Sequence, residues 1–112
     1  MLDEAPAVPP TRRVSPVARA LRPLQRTVGE LQSEIAFLVA RNLYAMRQPG
    51  DRVGESEVIE KRRALADALV ELEAVVARLP ARLRTDSRVG DTRAAIARLD
   101  QALDILSEGE GR

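Results

Sequence analysis

This 112-residue sequence contains no cysteine, no histidine and no tryptophan. The lack of cysteine excludes disulfides and thiolate chemistry, and the lack of both cysteine and histidine excludes the usual zinc sites and the commonest general base. Aromatic residues make up 2% of the chain, one Phe and one Tyr. Its core must therefore be built from Leu, Val, Ile and Ala, which suits slender helical bundles better than sheets or ligand-holding barrels.

Charge of one sign is not in excess, because 18 basic and 17 acidic residues give a formal net charge of +1. This balance argues against a protein that binds nucleic acid through an overall positive charge, although local clusters of basic residues are considered separately below. Lys61 is the only lysine among the basic residues. Together with the abundance of Ala, Val and Leu, this preference for Arg indicates the codon bias of a GC-rich genome, bacterial or phage.

Long apolar runs are also missing. None is long enough to span a bilayer, and the first residues lack the apolar region of a secretory signal, so we expect no transmembrane segment and a cytoplasmic location. The sequence shows no Gly-rich phosphate loop, nucleophile elbow or metal-ligand spacing. We therefore expect a non-enzymatic protein with no cofactor and no metal.

Three stretches of the chain repeat their apolar residues at alternating intervals of four and three. An average spacing of about 3.5 residues places one narrow apolar stripe on each helix, as in coiled coils and slender bundles. The three stripes are Val17, Leu21, Leu24, Val28, Leu31, Ile35 and Leu38; Leu65, Leu69, Leu72, Val76, Leu79 and Leu83; and Val89, Thr92, Ile96, Leu99, Leu103 and Leu106. Short connections favour antiparallel neighbours. The predicted fold class is all-α, an antiparallel three-helix bundle or helical hairpin.

Capping residues and prolines set the predicted boundaries of the helices. Ser15 before Pro16 is typical of a helix start, Ser56 is predicted to cap the second helix, and Gly109 is placed to end the third. Pro23 lies inside the first helix, which either kinks or begins there. The predicted organisation is a flexible Pro-rich arm at 1–14, a single helical domain at 15–107 with helices at about 16–47, 56–79 and 88–107, and a loose tail at 108–112.

The end of the first helix departs from the stripe and is apolar nearly all the way round. Continuing the stripe places Asn42 at a core position. A buried amide at such a position can fix the register of an oligomer. Alternatively, because Asn42 lies one turn from the predicted helix end, its side chain is in contact with water. The two neighbouring helices of the same bundle can bury this wide apolar surface of the first helix. Otherwise a second protein chain buries it. The candidate interface residues, with a second copy or another protein as partner, are Phe37, Asn42, Leu43, Tyr44 and Met46.

A run of arginines occurs with no acidic residue between Ala5 and Gly29, and it consists of Arg12, Arg13, Arg19, Arg22 and Arg26. Such a run could bind an acidic protein face, anionic lipid or the phosphates of nucleic acid. A second cluster, Arg78, Arg82, Arg84 and Arg88, is predicted to form a solvated face or to pair with Asp86, Asp100, Asp104 and Glu108. Arg62 falls on the second stripe, where its stem can snorkel or its charge can meet an acidic partner.

The sequence therefore favours a helical interaction or assembly protein, a scaffold, adaptor or chaperone, that self-associates or docks on a larger complex through the end of its first helix. An acidic partner is expected for the N-terminal arm. A nucleic-acid-associated protein using the Arg12–Arg26 face is the alternative hypothesis. An enzyme that grips an acidic small substrate with arginines inside the bundle is a third.

Overall fold

The computed structural model describes residues 15–44 and 53–110. Its elements are three helices, α1 (Pro16–Tyr44), α2 (Glu55–Arg78) and α3 (Ser87–Glu110), with a short 3-10 turn at Ala81–Leu83 between the last two. Each helix packs against the other two, and the described residues contain no strand. The prediction of an all-α fold is confirmed, in the form of a three-helix bundle. The arm at 1–14 and the end of the tail at 111–112 lie outside the described residues.

Helix α1 starts where the sequence predicts. The Ser15 hydroxyl accepts hydrogen bonds from the backbone N–H groups of Val17 and Ala18, at 3.1 and 3.3 Å, and so caps two amides that have no partner inside the helix. Pro23 lies within the helix, and the buried stripe continues across it through Leu21 and Leu24. The helix therefore begins at Pro16. Its predicted end, near Arg47, lies outside the described residues.

Helix α2 begins two residues earlier than a cap at Ser56 would place it, and the prediction that Ser56 caps this helix is wrong. The residue at the cap is Gly54, and the Glu57 carboxylate accepts a hydrogen bond from the Gly54 backbone N–H at 2.9 Å. This is the half of a capping box that does not need a side chain on the cap residue. At the other end Leu79 is extended, with φ −79° and ψ 148°, as a residue before a proline prefers. Pro80 thus ends the helix, close to the predicted boundary at residue 79.

Helix α3 starts at Ser87 and is capped by Asp86, whose carboxylate accepts from the Arg88 backbone N–H at 2.9 Å. The helix continues past Gly109 to Glu110, so the prediction that Gly109 ends it is wrong, and the tail predicted from residue 108 is helical as far as 110. No glycine among the described residues has a positive φ. Gly109 therefore does not adopt the left-handed conformation by which glycine ends a helix, and inside a helix it costs only about 1 kcal/mol relative to Ala.

Salt bridges between helices show how the bundle is arranged. Glu34 of α1 pairs with Lys61 of α2, and Arg41, further along α1, pairs with Glu57, which comes earlier in α2. Helices α1 and α2 are therefore antiparallel. The pairs Arg62–Asp100 and Arg93–Glu73 show the same relation between α2 and α3. One end of the bundle thus combines the C-termini of α1 and α3 with the N-terminus of α2, and the other end combines the opposite termini.

The core follows the predicted stripes in α1 and α3. All seven stripe residues of α1 are buried, and in α3 all six are buried except Leu99, which is half-buried. In α2 the prediction is only partly right. Leu65, Leu72 and Leu79 are buried as expected, but Leu69 is 38% exposed and Ala68 is buried instead. The buried face of α2 is therefore rotated by one residue at this turn, toward a smaller side chain.

Ser15 and Ser56, both predicted as helix caps, provide a matched test of where α1 and α2 start. Replacing Ser15 with Ala should lower the free energy of unfolding by about 1 kcal/mol, because two backbone N–H groups lose their acceptor. Replacing Ser56 with Ala should change it by less than about 0.5 kcal/mol, since this residue is exposed and makes no cap. Urea denaturation of both variants measures the difference, and equal losses would contradict the assignment of the caps.

Candidate interaction surface

Exposed apolar side chains gather at the end of the bundle where α1 finishes. The described residues expose seven large apolar side chains, and five of them lie at this end: Phe37, Leu43, Tyr44, Ile59 and Ile105. We call this set the apolar end. The remaining two, Leu69 and Val70, lie near the middle of α2. Single exposed apolar side chains are normal on a protein surface, whereas several at one end mark a candidate interaction site.

Three members of the apolar end come from the segment that the sequence singled out. Phe37, Leu43 and Tyr44 are 64%, 63% and 52% exposed, so the bundle does not cover the wide apolar arc of α1. Of the two explanations for that arc, burial by neighbours within one chain is therefore wrong for these three side chains. Met46, the last predicted member, lies outside the described residues.

The other two members come from helices that the sequence did not connect with this segment. Ile59 is in the second turn of α2 and Ile105 is near the end of α3, so the antiparallel arrangement brings both to the end of α1. Gly29 and Asp91 line one groove between α1 and α3. Leu43 and Ile105 lie two heptads further along the same two helices, about 21 Å beyond Gly29 and Asp91 and on the same side of the bundle.

Phe37 faces the opposite side of α1. It lines a shallow groove between α1 and α2 whose other walls include Ser33, Leu38 and Lys61. Tyr44, seven residues later, continues the same line along the helix. The apolar end therefore presents side chains on both flanks of α1 rather than on one face.

Ion pairs hold this part of the bundle together beneath the exposed side chains. Arg41 donates to the Glu57 carboxylate at 2.5 Å, and Lys61 donates to Glu34 at 2.6 Å. The Arg41 guanidinium, and after it the Gly54 backbone N–H, holds the pKa of the Glu57 carboxyl below its usual value. Glu57 thus joins the start of α2 to the last turns of α1, which positions Phe37 and Tyr44 on a fixed scaffold.

Asn42 is half-buried and makes a contact within its own chain. Its side-chain oxygen accepts a hydrogen bond from the backbone N–H of Val53, at 3.5 Å, a long distance for such a bond. Val53 is buried just before α2 begins. The sequence suggested an amide partner in another chain or water, and did not anticipate this link to the connection. A role for Asn42 between chains stays a prediction.

A second groove runs between α2 and α3, with Leu65, Ala66, Leu69, Ile96 and Ala97 among its lining residues. Ion pairs cross it at both ends. Arg62 donates to Asp100 and to Asp104, each at 2.9 Å, so of the two roles considered for Arg62 the pairing with acidic partners is the one observed. At the other end Arg93 pairs with Glu73 and lowers the pKa of that carboxyl.

Three of the five arginines that the sequence assigned to a basic face lie in the half of α1 away from the apolar end. Arg19, Arg22 and Arg26 are exposed on α1, and Arg12 and Arg13 lie outside the described residues. Of the second cluster, Arg88 pairs with Asp86 as predicted, while Asp100 and Asp104 pair with Arg62 instead. Arg84 donates to the carbonyl oxygens of Leu79 and Ala77, at 3.0 and 3.1 Å, and so caps the end of α2.

The described residues contain no group of three or more acidic side chains placed to hold a metal ion, and none of their helices combines the length and apolarity needed to cross a bilayer. No protein-family model matches this sequence, and comparisons with curated proteins and with solved structures give no match.

Proposed function

We propose that this protein is a non-enzymatic interaction or assembly protein that binds another protein chain through the apolar end. The partner is a second copy of the chain or a component of a larger complex. The observation that carries the proposal is the position of the large apolar side chains that the described residues expose: five of those seven lie at one end of the bundle. The proposal keeps the cytoplasmic location expected from the sequence.

The composition of the apolar end suits a protein interface. Aromatic side chains supply a large contact area at low entropic cost, and the chain places its one Phe and its one Tyr on the same exposed line of α1. Leu43, Ile59 and Ile105 add exposed aliphatic area at the same end of the bundle. Such side chains dock into the hydrophobic groove of a partner, as an amphipathic helix does, while the charged groups beside them set the orientation.

The test is the solution mass across a concentration series, measured by light scattering on the wild type and on a Phe37→Ser/Tyr44→Ser variant. We expect the wild type to form a discrete oligomer and the variant to be a folded monomer, because the variant loses the two aromatic anchors. Both side chains are more than half exposed, so the variant should keep its helical circular dichroism.

Val70→Ser provides the matched control, because Val70 is 69% exposed but lies outside the apolar end. This variant should retain the mass of the wild type. If the wild type and the double variant are both folded monomers of equal stability, self-association through the apolar end is contradicted, and docking on a different protein is the form of the proposal that remains. If Val70→Ser also dissociates the oligomer, the interface is not confined to the apolar end.

A further inference from the structure

We propose that the end of the bundle opposite the apolar end binds the phosphate backbone of double-stranded nucleic acid, without reading its sequence. We call it the arginine end and define it by residues 15–22 and 78–88. These residues include six arginines, Arg19, Arg22, Arg78, Arg82, Arg84 and Arg88, and one acidic residue, Asp86, which gives a formal net charge of +5. The inference is independent of the proposed function.

The antiparallel register brings together two clusters that are far apart in the sequence. Glu34 of α1 meets Lys61 of α2. Val17 precedes Glu34 by seventeen residues, and Arg78 follows Lys61 by the same number. Because the two helices are antiparallel and rise equally per residue, Arg78 lies level with the first turn of α1. Arg82 follows in the 3-10 turn at the same end. The arginines of α1 therefore lie at the same end of the bundle as those of the connection between α2 and α3.

Most of these guanidinium groups are free to bind an external anion. Arg19, Arg22, Arg78 and Arg82 are exposed, and none of the four makes a side-chain hydrogen bond or an ion pair in the part of the chain that the structure describes. Arg26 continues the surface along α1 and is equally free. Toward the other end, by contrast, Arg41, Lys61 and Arg62 each pair with a carboxylate.

Two features of the arginine end favour phosphates over other anionic partners. The described residues expose no large apolar side chain there, whereas the centre of a protein interface is apolar and a membrane-surface helix inserts an apolar face. The partner must therefore be recognised by charge alone. Aromatic side chains, on which unpaired bases stack, are also missing from this end, which favours a duplex over a single strand. Guanidinium groups bind phosphate oxygens through paired N–H donors.

The charge at the two ends of the bundle differs in sign. Residues 37–44, 53–63 and 100–110, which surround the apolar end, carry four basic and seven acidic side chains, a formal net charge of −3. The overall charge of +1 conceals this separation. A duplex would approach the arginine end and be repelled from the other, so the charge distribution sets the orientation of binding as well as its strength.

The test is fluorescence anisotropy of a labelled 20-base-pair DNA duplex titrated with the protein at several salt concentrations. Affinity should fall steeply with salt, and log K against log salt should have a slope of about −3.6 to −4.5 if four or five arginines contact phosphates. In an Arg78→Gln/Arg82→Gln variant, affinity at low salt should fall at least tenfold and the slope should become shallower by about 2. A duplex of unrelated sequence should bind equally well.

Arg63→Gln/Arg98→Gln is the matched control. Both residues are exposed and without a described partner, but they lie away from the arginine end, so this variant removes the same charge from another place. It should keep the slope of the wild type. Three results would each overturn the proposal. They are no binding to the duplex at low salt, an equal loss of affinity in the two variants, and binding to vesicles of anionic phospholipid but not to the duplex. The Phe37→Ser/Tyr44→Ser variant should bind DNA with an unchanged slope, which separates this proposal from self-association.

Discussion

Replacing Leu72 with Ala should lower the free energy of unfolding by about 2–5 kcal/mol. Leu72 is 0% exposed and lies in the middle of α2, within the core shared by all three helices. The substitution removes buried methyl groups and leaves a cavity that the surrounding helices can close only in part. Because a domain of this size has a total stability of about 5–15 kcal/mol, the loss should be plain in a urea or guanidinium denaturation curve.

Leu69→Ala is the matched control for this prediction, with the same chemical change three residues earlier. Leu69 is 38% exposed at the edge of the groove between α2 and α3, so its removal leaves no closed cavity and should cost less than about 1 kcal/mol. Similar losses in the two variants would contradict the observed register of α2. They would support the stripe expected from the sequence, in which both leucines belong to the core.

Replacing Gly29 and Gly90 together with Ala should raise the free energy of unfolding by about 1–2 kcal/mol. Both glycines lie inside helices, and a Cβ atom added at either position would meet nothing within 4 Å. Alanine reduces the conformational entropy of the unfolded chain and has the higher helix propensity, which is worth about 0.5–1 kcal/mol at each site. Thermal denaturation followed by circular dichroism should show a Tm higher by roughly 4–16 °C.

Gly54→Ala should not share this gain, although it is also a glycine-to-alanine change. Gly54 occupies the cap of α2 with an extended backbone, where Gly is preferred to Ala. A Cβ atom there would lie 3.7 Å from a carboxylate oxygen of Glu57, an ordinary contact that adds no strain. A rise in Tm equal to that of either helical position would contradict the assignment of Gly54 to the cap.

The spacing of apolar residues was sufficient to predict most of the core. In α1, and in α3 apart from Thr92, the stripe consists of branched aliphatic side chains, and the 4-3 pattern and the buried face coincide. In α2 two patterns compete, because Leu65, Leu72 and Leu79 can be extended either by Leu69 and Val76 or by Ala68 and Val75. Hydrophobicity favours the first extension, but a helix packed against two neighbours buries a wider face, and the small Ala68 fits where they approach.

The candidate surfaces could be predicted only in part, because each combines residues that become neighbours through the fold. Phe37, Leu43 and Tyr44 were visible as departures from the stripe. Ile59 and Ile105 are also off their stripes, but a single off-stripe Ile in a helix is common and has no meaning until the three helix ends are brought together. Likewise, the two arginine clusters look unrelated until the pairing of α1 with α2 places them on one end.

The 29 residues of α1 set the distance between the two ends of the molecule. At 1.5 Å per residue this helix is about 43 Å long. Two copies joined at their apolar ends would hold two cationic termini facing away from each other, roughly 80 Å apart, or about 24 base pairs of duplex at 3.4 Å each. Such a dimer would bridge two duplexes or span a bend in one, and its second contact would form at a high effective concentration. The length of one helix would then determine which arrangements of nucleic acid the assembly tolerates.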